Sequence, residues 1–146
     1  MPANQFSTGR DCQLVVVPPS GVGVGRIDLT HVTGFDARQT THSIRLHRLD
    51  GVHLAAELPQ GWDGSFELER GNAAVDDFIA ANEQAWHARG ELSGSTLYQY
   101  ITEPDGSTST YQFDNVVFKL TNAGSWRGDQ TVKQKLDFFA SRRKRV

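Results

Sequence analysis

One stretch of this chain repeats its apolar residues at helical spacing, and strand-like alternation lies on both sides of it. Within residues 72–89, Val75, Phe78, Ile79, Asn82 and Trp86 recur three or four apart, which predicts an amphipathic helix. Asn72 reads as its N-cap, Asp76 and Asp77 suit the positive end of the helix dipole, and Gly90 supplies the stop. Just before it, residues 61–69 read GWDGSFELE. Trp62, Phe66 and Leu68 fall on one side of that strand, with Gly64 between them, and Asp63, Ser65, Glu67 and Glu69 on the other. A lone helix between two runs of strands argues against repeated strand–helix–strand units and so against a parallel sheet.

The strands bound the architecture. CQLVVV at 12–17 is a short apolar strand ended by Pro18 and Pro19, and the glycine-rich SGVGVGR over 20–26 reads as a loop. Segments 26–35 and 42–49 alternate, and the polar GFDARQT between them is expected to cap a long hairpin. Asp50-Gly51 is a two-residue turn, with Val52, Leu54 and Ala56 following at period two. Pro59 to Gly61 is expected to turn the chain into the GWDGSFELE strand. Strands near 97–102 and 110–120 flank the turn PDGS. Apolar residues move from odd positions (Tyr111, Phe113) to even ones (Val116, Phe118, Leu120), which predicts a bulge near Asp114-Asn115. A last strand is expected over 131–140. The expected fold is mainly β: a sandwich or barrel of about seven strands with one flanking helix. Trp62, Phe66 and Leu68 should pack beneath Phe78, Ile79 and Trp86. Length predicts a single domain over 1–146, with 1–11 and 141–146 as extended or flexible ends.

Charge and cysteine use narrow the function classes. The formal charge is −2, yet Arg142, Arg143, Lys144 and Arg145 crowd the end, leaving 11 basic against 17 acidic side chains elsewhere. Such a body does not fit a general nucleic-acid binder. Cys12 is the only cysteine, so no internal disulfide can form, and a reducing cytosol is expected. The start shows no signal-peptide pattern, and no apolar run nears the ~20 residues that span a bilayer, so no membrane insertion is expected.

Site chemistry is sparse. GVGVG lacks the spacing of a dinucleotide or phosphate loop and leads into a strand rather than a helix. His31, His42, His47, His53 and His87 form no HExxH pair, and His42 and His47 should point to opposite faces of a strand. Asp63, Glu67 and Glu69 look like an evenly solvated row rather than a split-pKa pair. Ser7, Ser20 and Ser43 lie in no nucleophile elbow, and Cys12 has no basic neighbour beyond Arg10. No enzyme activity, cofactor or metal is expected.

The order of elements resembles the tail tube proteins of contractile-tailed bacteriophages, whose fold the tube of type VI secretion systems shares. The residues that carry this are Gly61 to Glu67, the helix from Asn72, Tyr111 to Val117 and Leu136 to Ser141. The resemblance implies hexameric rings whose sheets join into one inner barrel, stacked into a tube through which DNA passes at ejection. It implies tail sheath and baseplate proteins as partners, and a place in the virion after assembly in the host cytoplasm. On this reading Asp63, Ser65, Glu67 and Glu69 face the lumen, where like charge would keep phosphate from adhering. Phe35, Asp36, Arg38 and Gln39 become a ring-stacking loop. Arg142, Arg143, Lys144 and Arg145 become a tail that docks on a neighbouring subunit or the sheath. Two alternatives stand beside it. One is a baseplate or tube-initiator protein of the same fold. The other is a monomeric barrel with an apolar ligand pocket lined by Trp62, Trp86 or Trp126.

Overall fold

The computed structural model describes residues 6–19, 25–29, 31–90 and 92–146. Most of the glycine-rich loop expected over 20–26, and residues 1–5 of the amino-terminal segment, lie outside them. A 3-10 turn, Gly9–Asp11, is capped reciprocally by Thr8 and Asp11 and leads into the sheet. The described elements are β1 (Cys12–Val17), β2 (Ile27–Leu29), β3 (Val32–His47), β4 (His53–Glu69), α1 (Ala74–Arg89), β5 (Ser95–Thr102), β6 (Thr108–Asn122), β7 (Lys133–Ala140) and β8 (Arg142–Arg145). The eight strands form one antiparallel sheet in the order β2-β1-β5-β6-β7-β4-β3, with β8 against β6.

The sheet curls until its two ends share a core. Leu14, Val16 and Ile27 from β1 and β2 meet Phe66, Leu68, Leu136 and Phe138 from β4 and β7, and α1 adds Val75 and Phe78. Phe66, Phe78 and Phe138 each lie within about 6.5 Å of Phe118, ring centre to ring centre, as distances of 6.0, 5.7 and 6.5 Å. Such edge and tilted aromatic contacts add to the burial of the rings themselves.

The predicted helix forms, with two differences. Its N-cap is Ala73, which offers no side-chain bond, while Asn72 Oδ1 accepts the Ala74 N–H at 3.0 Å in the turn before it. Gly90 ends it at φ 68°, donating to the Trp86 carbonyl at 2.8 Å. Trp86 is not core: it is 50% exposed. It lies two turns beyond Phe78, about 12 Å along the axis at 1.5 Å per residue, past the end of the aromatic floor. The buried end of α1 is also tied by charge. Asp76 accepts from Arg70 Nε and from the buried Gln134 Nε2, each at 2.9 Å.

Two expected loops are strand. GFDARQT runs through the middle of β3, and Pro59 to Gly61 lie inside β4. Gln39 faces Trp62 and Thr41 faces Pro59, so Gln60 and Gly61 form a bulge, with Gly61 at φ +109°. The hairpin therefore turns only at Arg48–Val52, on the predicted Asp50-Gly51. The PDGS turn closes through Glu103 N–H to the Ser107 carbonyl at 2.7 Å. The bulge at Asp114-Asn115 is present: Ser95 faces Val116 but Leu97 faces Phe113, and Asn115 has φ 55°.

The basic end is extended, and it is paired. Phe118 faces Phe138 and Phe113 faces Arg143, one unbroken register, so β8 continues β7 along β6 past a single interruption at Ser141.

Candidate assembly surfaces

Three surfaces follow from this topology. The first is the solvent side of β7, β4 and β3. Asp63 and Glu67 are exposed there, Ser65 and Glu69 half-buried. Two groups of candidate residues come together on it, because Arg38 lies opposite Asp63 and Asp36 opposite Ser65. Lys135 and Lys133 of β7 stand opposite Glu67 and Glu69, and Lys119 of β6 opposite Asp137. The face thus carries five carboxylates and four cations. It is a mixed surface, not an acidic wall, and opposite charges directly across strands are favourable neighbours. Phe35 and Gln39 do not join it. Phe35 packs into the core, stacked on Phe138 at 5.7 Å between ring centres, and Gln39 pairs with Trp62 on the inner side.

The second surface is an arm. Among the described residues, β3 and β4 pair only with each other beyond the Gln60-Gly61 bulge, and every residue from Thr41 to Gln60 is exposed. Polarity inverts at the bulge. Along β3 the odd residues Phe35 and Ala37 face the core, but further out the odd residues are Thr41, Ser43, Arg45 and His47. The even side, charged in the body at Asp36 and Arg38, becomes Ile44 and Leu46, opposite Ala56 and Leu54. Ile44, Leu46, Leu54 and Leu58 are each about half exposed, at 46, 54, 48 and 46%. The polar side holds the ribbon in register. Ser43 and Thr41 hydroxyls donate to the Glu57 carboxylate at 2.7 and 2.8 Å, and these bonds hold its pKa below the ordinary 4.5.

The third surface is the pair of sheet ends. Among the described residues, β3 leaves a 16-residue edge without further pairing and β2 a three-residue edge. Beside them, β8 is a protected edge. Arg143 points inward over Tyr111 at 3.8 Å and near Trp62 at 5.1 Å, and burial lowers its pKa. Lys144 pairs with Asp114 at 3.5 Å, and Arg145 donates to Ser109 Oγ at 3.2 Å. Three of the four basic residues expected to reach a neighbour are thus engaged within the subunit, and Arg142 is exposed. An inward arginine on an edge strand discourages strand addition there.

Two cavities bear on the apolar-ligand alternative. The cleft beneath α1, between Val16, Phe66, Phe78 and Leu136, holds about 10 Å³, no more than one water needs. Trp86 and Trp126 are surface residues, and Arg70 lies 5.2 Å from the Trp126 ring. A wider groove of about 900 Å³ between β1, β2 and the start of β3 is open and mixed in charge, with Arg10, Arg26 and Asp28 on its walls. Among the described residues no helix is long and apolar enough to cross a membrane.

No protein-family model and no curated protein matches the chain by sequence. Solved structures do match by shape. A chain of the PVC sheath/tube terminator in the extended state, from an extracellular contractile injection system, superposes with a TM-score of 0.64 at 13% identity, covering 99% of both chains. A chain of the extended PVC sheath-tube complex gives 0.63 at 13% identity, over 99% of this chain and 93% of that one. A chain of the anti-feeding prophage tube terminating cap gives 0.60 at 13% identity, over 100% and 94%. From end to end, the chain has the tail-tube-like fold found in contractile injection systems.

Proposed function

We propose that the chain is a structural, non-enzymatic subunit that assembles with copies of itself into the inner tube of a contractile, phage-tail-like particle. The observation that carries this reading is the inverted polarity of the arm. A two-stranded ribbon is marginal on its own, and this one turns an apolar row to solvent on the side where the body is charged. Such a row needs a protein neighbour, and in a polymer of one chain the neighbour is another copy. The arm then bridges successive rings, and the free β3 edge joins the next subunit around a ring of six. The mixed face containing Asp63, Ser65, Glu67 and Glu69 lines the bore, through which DNA passes if the particle is a phage. The outer half of α1, with Trp86, faces the sheath, and the tube ends on a baseplate in the assembled virion. The likeness to sheath-tube and terminator structures supports a tail role.

A second reading has its own support in the likeness to a tube terminating cap: a subunit that forms one closing ring. Open-ended tubes favour the first reading and closed single rings the second.

The arm is tested by exchanging a cross-strand pair, Leu46→Glu with Leu54→Lys. Opposite charges keep the ribbon paired while removing its apolar row. Sedimentation should show a folded subunit that no longer stacks. Stacking equal to that of the unaltered chain would remove the arm from the contact.

A further inference from the structure

The polar side of the arm ends, one pair before the turn, in two histidines. His47 and His53 are register partners on β3 and β4. Their rings meet edge to face, with centres 4.8 Å apart at 78°, and their Nδ1 atoms are 2.6 Å apart. Both side chains are exposed. At that distance one Nδ1 donates a proton and the other accepts it with its lone pair. Two imidazole nitrogens on one ion at ~2.0–2.1 Å stand roughly 3 Å apart, which a small turn of either ring reaches.

We infer that His47 and His53 form a two-point chelate for a divalent late-transition metal ion. Imidazole suits zinc, copper and nickel, with copper(II) bound most tightly. The hairpin preorganises the pair. Arg48 N–H donates to the Val52 carbonyl at 2.9 Å, and Gly51 N–H to the Arg48 carbonyl at 3.1 Å. Arg48 also pairs with Asp50 at 2.8 Å, so that carboxylate is already engaged. Once one imidazole binds, the second follows intramolecularly at an effective concentration of order millimolar or above. Among the described residues no three metal-ligating side chains converge, so two nitrogens are this chain's contribution there, and water fills the remaining positions. His42 lies on the apolar side of the same strand and takes no part. A one-residue slip of β3 against β4 would part the two rings onto opposite faces. The ion therefore binds only the native register and clips the arm just below its tip.

The test is titration of the purified full chain with copper(II), followed by electron paramagnetic resonance. One ion per chain with a two-nitrogen signature is expected. His47→Asn and His53→Asn should each lose that signature and weaken uptake roughly tenfold or more, as a chelate becomes a single ligand, while His42→Asn changes nothing. In the unaltered chain the ion should also slow amide exchange at Arg48 and Gly51. No stoichiometric uptake, or uptake unaffected by either variant, would overturn the assignment.

Discussion

At Gly64 the inner face of β4 has no room for a side chain. A Cβ there would overlap the Asp36 carbonyl oxygen and crowd Phe138 Cζ at 2.9 Å. The gap lets Phe138 lie across the strand and stack on Phe35, so one missing methyl positions two core rings. Gly64→Ala should therefore destabilise the subunit by about 1–3 kcal/mol, since backbone cannot move aside as a flexible side chain would. Urea unfolding measures it, and a neutral result would mean the two strands are further apart. Phe78, 2% exposed, packs edge-on against Phe118; Phe78→Ala should cost about 3–5 kcal/mol. Trp86→Ala should stay within about 0.5 kcal/mol, as expected of a surface site. The sequence pattern places both residues on one helical stripe. Periodicity reports a direction around the helix, but not how far along it the floor beneath extends.

Element boundaries were legible where one rule acted alone. The Asp50-Gly51 turn, the PDGS turn and the bulge at Asp114-Asn115 each rest on local chemistry or on a phase change, and each is present. In β3 and β4 two rules collide. The apolar phase of β3 moves from Phe35 and Ala37 to Ile44 and Leu46 within one regular strand, because the strand leaves the core beyond the bulge and runs out beside β4 alone. A phase change between polar residues reads as a loop, and so Phe35, Asp36, Arg38 and Gln39 were expected there. β8 was hidden for a similar reason. Four successive basic residues look like solvated chain, although Arg143 needs only a ring face to lie on. The arm itself makes a pH prediction. Glu57 has a depressed pKa, so its bonds to Ser43 and Thr41 stabilise the ribbon above the ordinary glutamate value of 4.5 and are lost as pH falls through the lower folded value. An NMR titration of Glu57 should give a midpoint below 4.5, and Glu57→Gln should raise amide exchange along the arm at neutral pH. A midpoint at or above 4.5 would mean the hydroxyls point elsewhere.

For the whole molecule, charge and assembly are linked questions. The face containing Asp63, Glu67 and Glu69 balances acids against Arg38, Lys133 and Lys135 directly across the sheet. Lysine at those three positions would put like charges opposite one another and weaken the strands themselves. Asp63→Asn with Glu67→Gln and Glu69→Gln is the cleaner change. It leaves the fold intact and makes the face net positive, so a bore lined by it should retain DNA in a way that weakens as salt rises. Retention independent of salt would place this face away from the passing cargo. The claim on which the rest depends is that the chain polymerises through its arm and its free sheet edge. Cryo-electron microscopy of the purified, unaltered chain at rising concentration tests it directly. Six-fold rings stacked into open-ended tubes are expected, each arm seated on the ring beside it. Single monodisperse subunits at every concentration would contradict it.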